Sequence, residues 1–465
     1  MSANKSRLLV IILILAVQLA ALVYFLSVNG SAFFNPARNK MQGDDQSEFW
    51  RLAVNIVDNR VFSLSKTTPY APDQTRTPIF PLFIGLGYGI SGGFMLPIVL
   101  NILVSILTVF LVFEGALYFS KNKNIALFTA VAYIFLFYRL YAPNLFLADT
   151  LFNFLFTLFI FYFLKNLLDQ DEISYKKSAF SGFLLGLVTL TRPITQYFIL
   201  IPVLCLVLKN KKLSKKSFVS IGIFVLIFLT ILSPWFIRNY VLFNRVFLSS
   251  IGDYHTFVSY VGPWQSYKEN ISRMEGAERI KKYVEEKYGA MAMYDIEKSR
   301  ALANEAKGKI LEAPLSYAFF HLSSVPIFFL NNDIILGLRH AFKISLPDVF
   351  AAEKVLTGNF SAIFDIVRKF NPAVLFLFFG SYAFIFLKSV LGIGVAVYLS
   401  RKGELKAFFC LATIFYFALI VGFEGQARFR LPIESFLLFF SVMGIYSGYN
   451  FFKSKSLLKS ENAKK

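Results

Sequence analysis

Long apolar runs separated by short polar connectors set the pattern of this chain. From Leu8 to Leu26 every position is apolar except Gln18. Comparable runs follow at about 95–119, 124–140, 149–166, 178–191, 195–208, 217–235, 373–399, 405–421 and 432–451. A helix that crosses a bilayer takes about 20 apolar residues. The pattern therefore predicts an all-α polytopic membrane protein with about ten transmembrane helices. The runs 178–191 and 195–208 are short and meet at Thr191-Arg192-Pro193. Ile79–Ile90 is apolar but short, holds three glycines and begins at Pro78 and Pro81. Counting it as a span would reverse the side of every later loop, so it is predicted to be an interfacial or re-entrant helix. Residues 314–330 receive the same reading.

The connectors fix an orientation. With the N-terminus inside, the lysine-rich loops all fall inside: Lys121 and Lys123; Lys165, Lys176 and Lys177; Lys209 to Lys216; Arg401, Lys402 and Lys406; and the tail from Lys453. That satisfies the positive-inside rule and places both termini in the cytoplasm, with a bacterial inner membrane as the expected location. Lys5 and Arg7 before the first run read as the start of an uncleaved signal anchor, with cleavage near Ser31-Ala32 as the alternative.

Composition narrows the class. Of 465 residues 56% are hydrophobic and 16% charged, more apolar surface than a soluble domain can cover. The net charge of +20 would suggest nucleic acid in a soluble protein. Here it follows the connectors, and nothing resembles an RNA- or DNA-binding motif. The 56 phenylalanines read as lipid-facing bulk and interfacial belts. Two cysteines, Cys205 and Cys410, cannot make a four-ligand zinc site, and the three histidines lack H-x-x-x-H spacing. No cofactor is expected, and the need for a divalent metal stays open.

Three larger pieces then lie outside: a first loop of about 29–94, the turn before Asp149, and a region from Trp235 to about Pro372. The chain divides into an N-terminal transmembrane module (1–235), an outer helical region (236–372), and C-terminal transmembrane helices with a basic tail (373–465). Residues 268–312 carry ten Lys/Arg and nine Asp/Glu, a balance expected of solvated helices with i,i+4 pairs.

Chemistry concentrates at the outer ends. Asp44, Asp45 and Glu48 follow the first run. Asp45 could cap a helix and Glu48 complete a capping box, or Asp45 could serve as a general base. Asp149 reads either as a helix cap or as a second acid facing the same cavity. Arg76, Arg192, Arg238, Arg428 and Arg430 all fall at outer span ends, where positive charge is normally depleted. Each could snorkel, but guanidinium groups bind phosphate bidentately, so a lipid phosphate is a natural partner.

The segment Gly43-Asp44-Asp45-Gln46-Ser47-Glu48-Phe49 resembles the first-loop motif of GT-C membrane glycosyltransferases. In particular it is similar to the dolichyl-phosphate-mannose–protein mannosyltransferase group and its bacterial relatives, including aminoarabinose transferases. Arg76-Thr77-Pro78-Ile79-Phe80-Pro81-Leu82-Phe83 resembles the family's R-x-P-x-Y-P-L-F stretch, with Phe80 in place of Tyr. Gly186 to Pro193, Pro234 to Tyr240 and Arg428 to Pro432 resemble further segments, in the family's order. The second-loop acid, often Glu, is Asp149 here.

The resemblance implies a GT-C-like helical bundle with outer-face interfacial helices. It implies inverting transfer of a sugar from a polyprenyl-phosphate donor to an acceptor hydroxyl on a lipid, glycan or protein. Asp45 would then be the base, with Asp44 and Asp149 as further candidates. The five arginines would hold the donor phosphate, and Glu48 and Glu424 would position donor or acceptor. Membrane lipids are expected partners and nucleic acid is not. The competing readings are a lipid-linked sugar flippase or other transporter, which would show paired broken spans and repeated halves, and a non-catalytic envelope scaffold.

Overall fold

The computed structural model describes residues 3–29, 45–170, 174–209, 214–332, 368 and 372–462. Asp44 lies outside these residues. Apart from one bridge between Ser63 and Pro72, the described chain is helix and connecting loop. The first part runs through α1 (Ala3–Asn29), α2 (Asp45–Asp58), α3 (Ile79–Ser91), α4 (Met95–Ser120), α5 (Lys123–Ile134), α6 (Phe137–Tyr141), α7 (Asp149–Phe163), α8 (Tyr175–Thr191), α9 (Leu200–Lys209) and α10 (Lys215–Phe243). Then come α11 (Ile251–His255), α12 (Gly262–Lys268), α13 (Arg273–Tyr288), α14 (Ile296–Glu312) and α15 (Pro314–Leu330), followed by α16 (Pro372–Arg401), α17 (Leu405–Val421) and α18 (Ala427–Asn462).

Among the described residues seven helices are long and apolar enough to cross a bilayer, and two bent pairs pass only when taken together. The expected span at 124–140 is one of these pairs, bent by 68° between α5 and α6. Leu136 is extended there, and Arg139 Nη1 donates to the Ile134 carbonyl at 2.9 Å, covering the end of α5. Arg139 Nη2 also reaches Gln18 Oε1 at 3.0 Å. The single polar residue in the first apolar run is thus buried against the break in another helix. The second pair, α14 and α15, turns through 104°, so α15 leaves α14 nearly at a right angle. α8 has 17 residues, and Pro193 separates it from α9.

The phenylalanines divide into two populations, which corrects the reading of them as lipid-facing bulk. Phe152, Phe156, Phe159 and Phe163 on α7 are all buried. They meet Phe198, Phe409 and Phe417 edge-on or stacked at centroid distances of 5.2–6.4 Å. Such pairs add to area burial, and α7 becomes the central post of the bundle. Leu226, Leu229, Val241, Phe376 and Phe386 remain on the outer surface, as a lipid-facing helix requires.

α8 packs closely against α10. A side chain at Gly182 would collide with the Phe224 carbonyl oxygen, and one at Gly186 with Ile231. Ser178, Gly182 and Gly186 recur every four residues on that face, and all are buried. Small residues at this spacing let two backbones approach where lipid supplies no hydrophobic drive. Gly182→Val is expected to destabilise the fold by about 1–3 kcal/mol through overpacking. The check is its thermal unfolding midpoint in detergent, and a midpoint equal to the parent's would contradict this account of the interface.

Candidate active site

The helix polarities sort the charges. α7 runs from Asp149 toward Lys165, α8 from Lys176 and Lys177 to Arg192, and α18 from Arg428 toward Lys453. The acid–arginine residues and the lysine-rich connectors therefore occupy opposite ends of the same helices.

α2 buries Glu48, Phe49, Leu52, Ala53 and Asn55, a helical stripe that presses it onto α3. Asn55 Nδ2 donates to the carbonyls of Ser63 (2.7 Å) and Ser65 (3.0 Å), fastening the loop that follows. At the far end of that loop Asp73 accepts from the backbone amides of Thr75 (3.2 Å) and Arg76 (2.9 Å) and from the Thr75 hydroxyl (2.8 Å). This turn aims the Arg76 side chain back at α2. Thr77 Oγ1 donates to the Thr191 carbonyl at 3.1 Å, joining the Arg76 segment to the end of α8 beside Arg192.

The core of the site is a carboxylate shared by two guanidiniums. Asp45 Oδ1 accepts from Arg76 Nη2 at 2.5 Å, and Asp45 Oδ2 accepts from Arg428 Nη1 at 3.1 Å. Arg76 also donates Nε (2.8 Å) and Nη2 (2.5 Å) to Glu48 Oε2, while the Tyr294 hydroxyl donates to Glu48 Oε1. The Glu48 carboxylate is thus spent on Arg76 and Tyr294 and does not complete a capping box. Asp149, buried, pairs with Arg192 and forms no cap of its own helix. Arg192 and Arg428 both lie over the Phe429 ring, at 5.0 and 4.9 Å. These contacts gather Asp45, Glu48, Arg76, Asp149, Arg192 and Arg428 into one cluster.

Its electrostatics are lopsided. Burial works against ionising Asp45, but the charges of Arg76 and Arg428 outweigh it and hold the carboxyl well below the usual carboxylate range. The Arg76 guanidinium is correspondingly raised, against burial, by Asp45 and Glu48. A carboxyl depressed below its unfolded value of about 3.9 stabilises the fold above that value and loses this contribution as pH falls through the folded value. The Asp45 pairs therefore persist throughout the neutral range.

Two expected phosphate ligands stand elsewhere, which corrects the uniform reading of the five arginines. Arg430 is buried, pairs with Glu434 at 2.6 Å, and donates Nη1 to the carbonyls of Phe328, Phe329 and Asn331 at 2.9–3.0 Å. Lys388 completes this ion triad through Glu434. Arg430 therefore ties the end of α15 into the bundle. Arg238 packs over Trp235 at 4.5 Å and Phe62 at 5.2 Å, and feels Asp73 from the rim. Glu424 sits half-buried after α17, beside Gln426.

Asp73, Tyr294 and His255 were not singled out from the sequence. Asp73 left a signal, the turn pattern Asp73-Gln74-Thr75. Tyr294 lies 246 residues from its partner, inside a stretch that reads as solvated surface. His255 Nδ1 is 2.7 Å from Ser259 Oγ, and its helix is docked on the loop through Ser249 Oγ to the Thr75 carbonyl (2.5 Å) and Ser250 N to the Gln74 carbonyl (3.0 Å). Burial lowers the imidazole pKa, as do Arg76 and Arg428, while Glu424 and Asp45 oppose. The imidazole therefore interacts with the charges of the same cluster.

The carboxylates of Asp45, Glu48 and Asp149 are each engaged by a guanidinium, and the described residues hold no group of three side chains arranged to bind a metal.

No family model matches the sequence, and no curated protein matches it. Solved structures do share its fold. The apo oligosaccharyltransferase of Archaeoglobus fulgidus aligns with a TM-score of 0.51 at 14% identity, over 96% of this chain and 52% of that one. The archaeal oligosaccharyltransferase AglB from Archaeoglobus fulgidus, in complex with an inhibitory peptide and a dolichol-phosphate, gives 0.49 at 14% identity over 96% and 52%. ArnT from Cupriavidus metallidurans bound to undecaprenyl phosphate gives 0.38 at 14% identity over 93% and 77%. The chain spans about half the length of the archaeal proteins. The fold is accordingly an all-α bundle like that of the apo archaeal oligosaccharyltransferase.

The two neighbouring arginines of α18 should behave differently on truncation. Arg430→Ala leaves three carbonyls without their donor and Glu434 with Lys388 as its remaining partner, and is expected to destabilise by about 3 kcal/mol. Arg428→Ala, at the half-buried cluster, is expected to lower stability by less than half as much. Thermal unfolding of the two purified variants checks this, and equal losses would contradict the division of roles.

Proposed function

We propose that this protein is a membrane glycosyltransferase. It moves a sugar from a polyprenyl-phosphate donor to an acceptor hydroxyl at the extracytoplasmic face, with inversion at the anomeric carbon. The observation that carries this reading is the Asp45 carboxylate held between Arg76 and Arg428, at the helix ends opposite the lysine-rich connectors. The positive-inside rule assigns the lysine end to the cytoplasm, so the cluster faces the other side. The GT-C fold supports the same class of activity.

The chemistry follows from the charges. The donor is a phosphodiester with one negative charge. As the bond from the anomeric carbon to the phosphate oxygen breaks, the polyprenyl phosphate leaves with a second negative charge. As the new bond forms, the acceptor hydroxyl loses its proton. Guanidiniums aimed at the phosphate stabilise the first change, and a carboxylate removes the proton in the second. Asp45 pinned by two arginines is a poor base. A donor phosphate arriving among Arg76, Arg428 and Arg192 competes for the same N–H groups. Once they turn toward phosphate, the carboxylate loses its counter-charge and gains basicity. Donor binding thus switches on the base that the acceptor needs, and an acceptor arriving first meets an inert carboxylate. Glu48, held by Tyr294, keeps Arg76 in reach throughout.

Asp45→Asn should leave the donor KM unchanged or lower, because the arginines lose a competitor. Its kcat should fall by about 10²–10⁴, the usual range for a general base. Transfer from a radiolabelled polyprenyl-phosphate sugar to total membrane acceptors measures both; a near-normal kcat would remove Asp45 from the mechanism. In the parent, kcat/KM reports the free enzyme and kcat the complex. The acid limb of kcat should therefore lie at higher pH than that of kcat/KM, and superimposable profiles would contradict the switch.

A further inference from the structure

A second cavity lies at the opposite end of the bundle. It has a volume of about 290 Å³ and opens between α4, α7, α17 and α18. Phe119, Phe161, Leu164, Phe439 and Met443 give it an apolar wall, and Lys406 stands on its rim. Along α7 it extends from Leu164 to Thr157, a depth of roughly 10 Å at 1.5 Å per residue. Its deep end at Thr157 lies eight residues, about 12 Å, along the same helix from Asp149.

The rim is cationic and aromatic. Lys121 and Lys165 both lie over the Tyr118 ring, at 4.6 and 5.2 Å, and Lys165 also lies over Phe161 at 5.5 Å. Lys406 lies 5.6 Å over Phe119 and pairs with Asp169 at 2.6 Å, and the Tyr118 hydroxyl donates to Asp169. Lys406 and Glu404 line the mouth, and Lys121 and Lys165 flank it through Tyr118 and Phe161. Lys121 and Lys165 are exposed. A basic rim over an apolar slot at the cytoplasmic boundary matches a lipid that has an anionic headgroup and a hydrocarbon chain.

We propose that this groove binds an anionic phospholipid. One acyl chain fills the slot between α4, α7, α17 and α18, and the phosphate rests on Lys121, Lys165 and Lys406. The site is independent of the donor site, because its cations sit at the other helix ends and in the other leaflet. A bound acyl chain fills space that would otherwise separate α18 from α7. Those helices carry Arg428 and Asp149 at their far ends, so occupancy would stiffen the frame that holds the cluster.

Native mass spectrometry of the full-length protein in neutral detergent tests this, with phosphatidylglycerol, phosphatidylcholine of the same chains, and undecaprenyl phosphate as probes. Phosphatidylglycerol is expected to bind at least about tenfold more tightly than phosphatidylcholine, at roughly fivefold per lysine engaged. The Lys121→Gln/Lys165→Gln variant should lose most of that preference while still binding phosphatidylcholine. Ala407→Leu, which fills the slot and leaves the rim intact, should weaken both phospholipids. Equal binding of the two phospholipids, or an unchanged preference in the lysine variant, would overturn the proposal. So would undecaprenyl phosphate that competes with phosphatidylglycerol and is weakened by the same lysine changes, since the slot would then belong to the donor's tail.

Discussion

One carboxylate between two guanidiniums holds this structure's functional end together. Asp45, Arg76 and Arg428 come from the first loop and from the last helix, and meet at 2.5 and 3.1 Å. Charges this close interact by about 4 kcal/mol at the effective dielectric typical near a protein surface. The charges of the two arginines offset the cost of burying the acid, and the acid offsets the cost of burying Arg76. The same atoms bind chain segments almost 400 residues apart and present the only chemistry that a phosphate-bearing substrate needs. A group that holds the empty site in shape and is then displaced by substrate has two roles, and the arrangement works because guanidiniums can exchange one anion for another.

The arginines around this centre divide the labour by helix geometry. Residues two apart on a helix point about 200° away from each other. Arg428 therefore faces Asp45, while Arg430 turns inward to Glu434 and the end of α15. One side chain serves the cavity and its neighbour fixes the wall. Glu48 shows the same economy, with one oxygen on Arg76 and the other on Tyr294. The Tyr294 hydroxyl thereby joins the Ser249 and Ser250 contacts that connect the outer helices to the first loop. At the other end of the bundle a separate set of lysines deals with the lipid of the opposite leaflet, so the two membrane surfaces are read by different cations.

Much of the architecture was legible from the chain. Apolar length marked the spans, because bilayer thickness leaves few alternatives, and the lysine connectors lie at the ends of the long apolar helices opposite the acid–arginine residues. The gathering of Asp45, Arg76, Asp149, Arg192 and Arg428 followed from their shared place at span ends. Arg430 was misjudged because spacing along a sequence does not reveal which face of a helix a side chain takes until the packing is known. The α7 phenylalanines were misjudged for a related reason: in a membrane protein both faces of a helix can be apolar, so periodicity cannot separate lipid from core. Tyr294 was hidden by its neighbourhood, since a polar tip in a charged helical stretch looks solvated until the tertiary fold brings Glu48 to it. The break at Leu136 left no proline or glycine to announce it, and only the buried Arg139–Gln18 contact explains how it is stabilised.

The central claim is that Asp45 and the donor phosphate compete for the same guanidiniums. The most direct measurement is the ionisation of the Asp45 carboxyl itself, by carbon NMR of protein labelled at aspartate, with Asp45→Asn used to assign the signal. In the absence of lipid phosphate the carboxyl should stay ionised to the lowest pH at which the protein remains folded. With saturating polyprenyl phosphate its pKa should rise by at least about one unit, equivalent to the loss of about 1.4 kcal/mol of counter-charge. A pKa that does not move when the lipid phosphate binds would contradict the account.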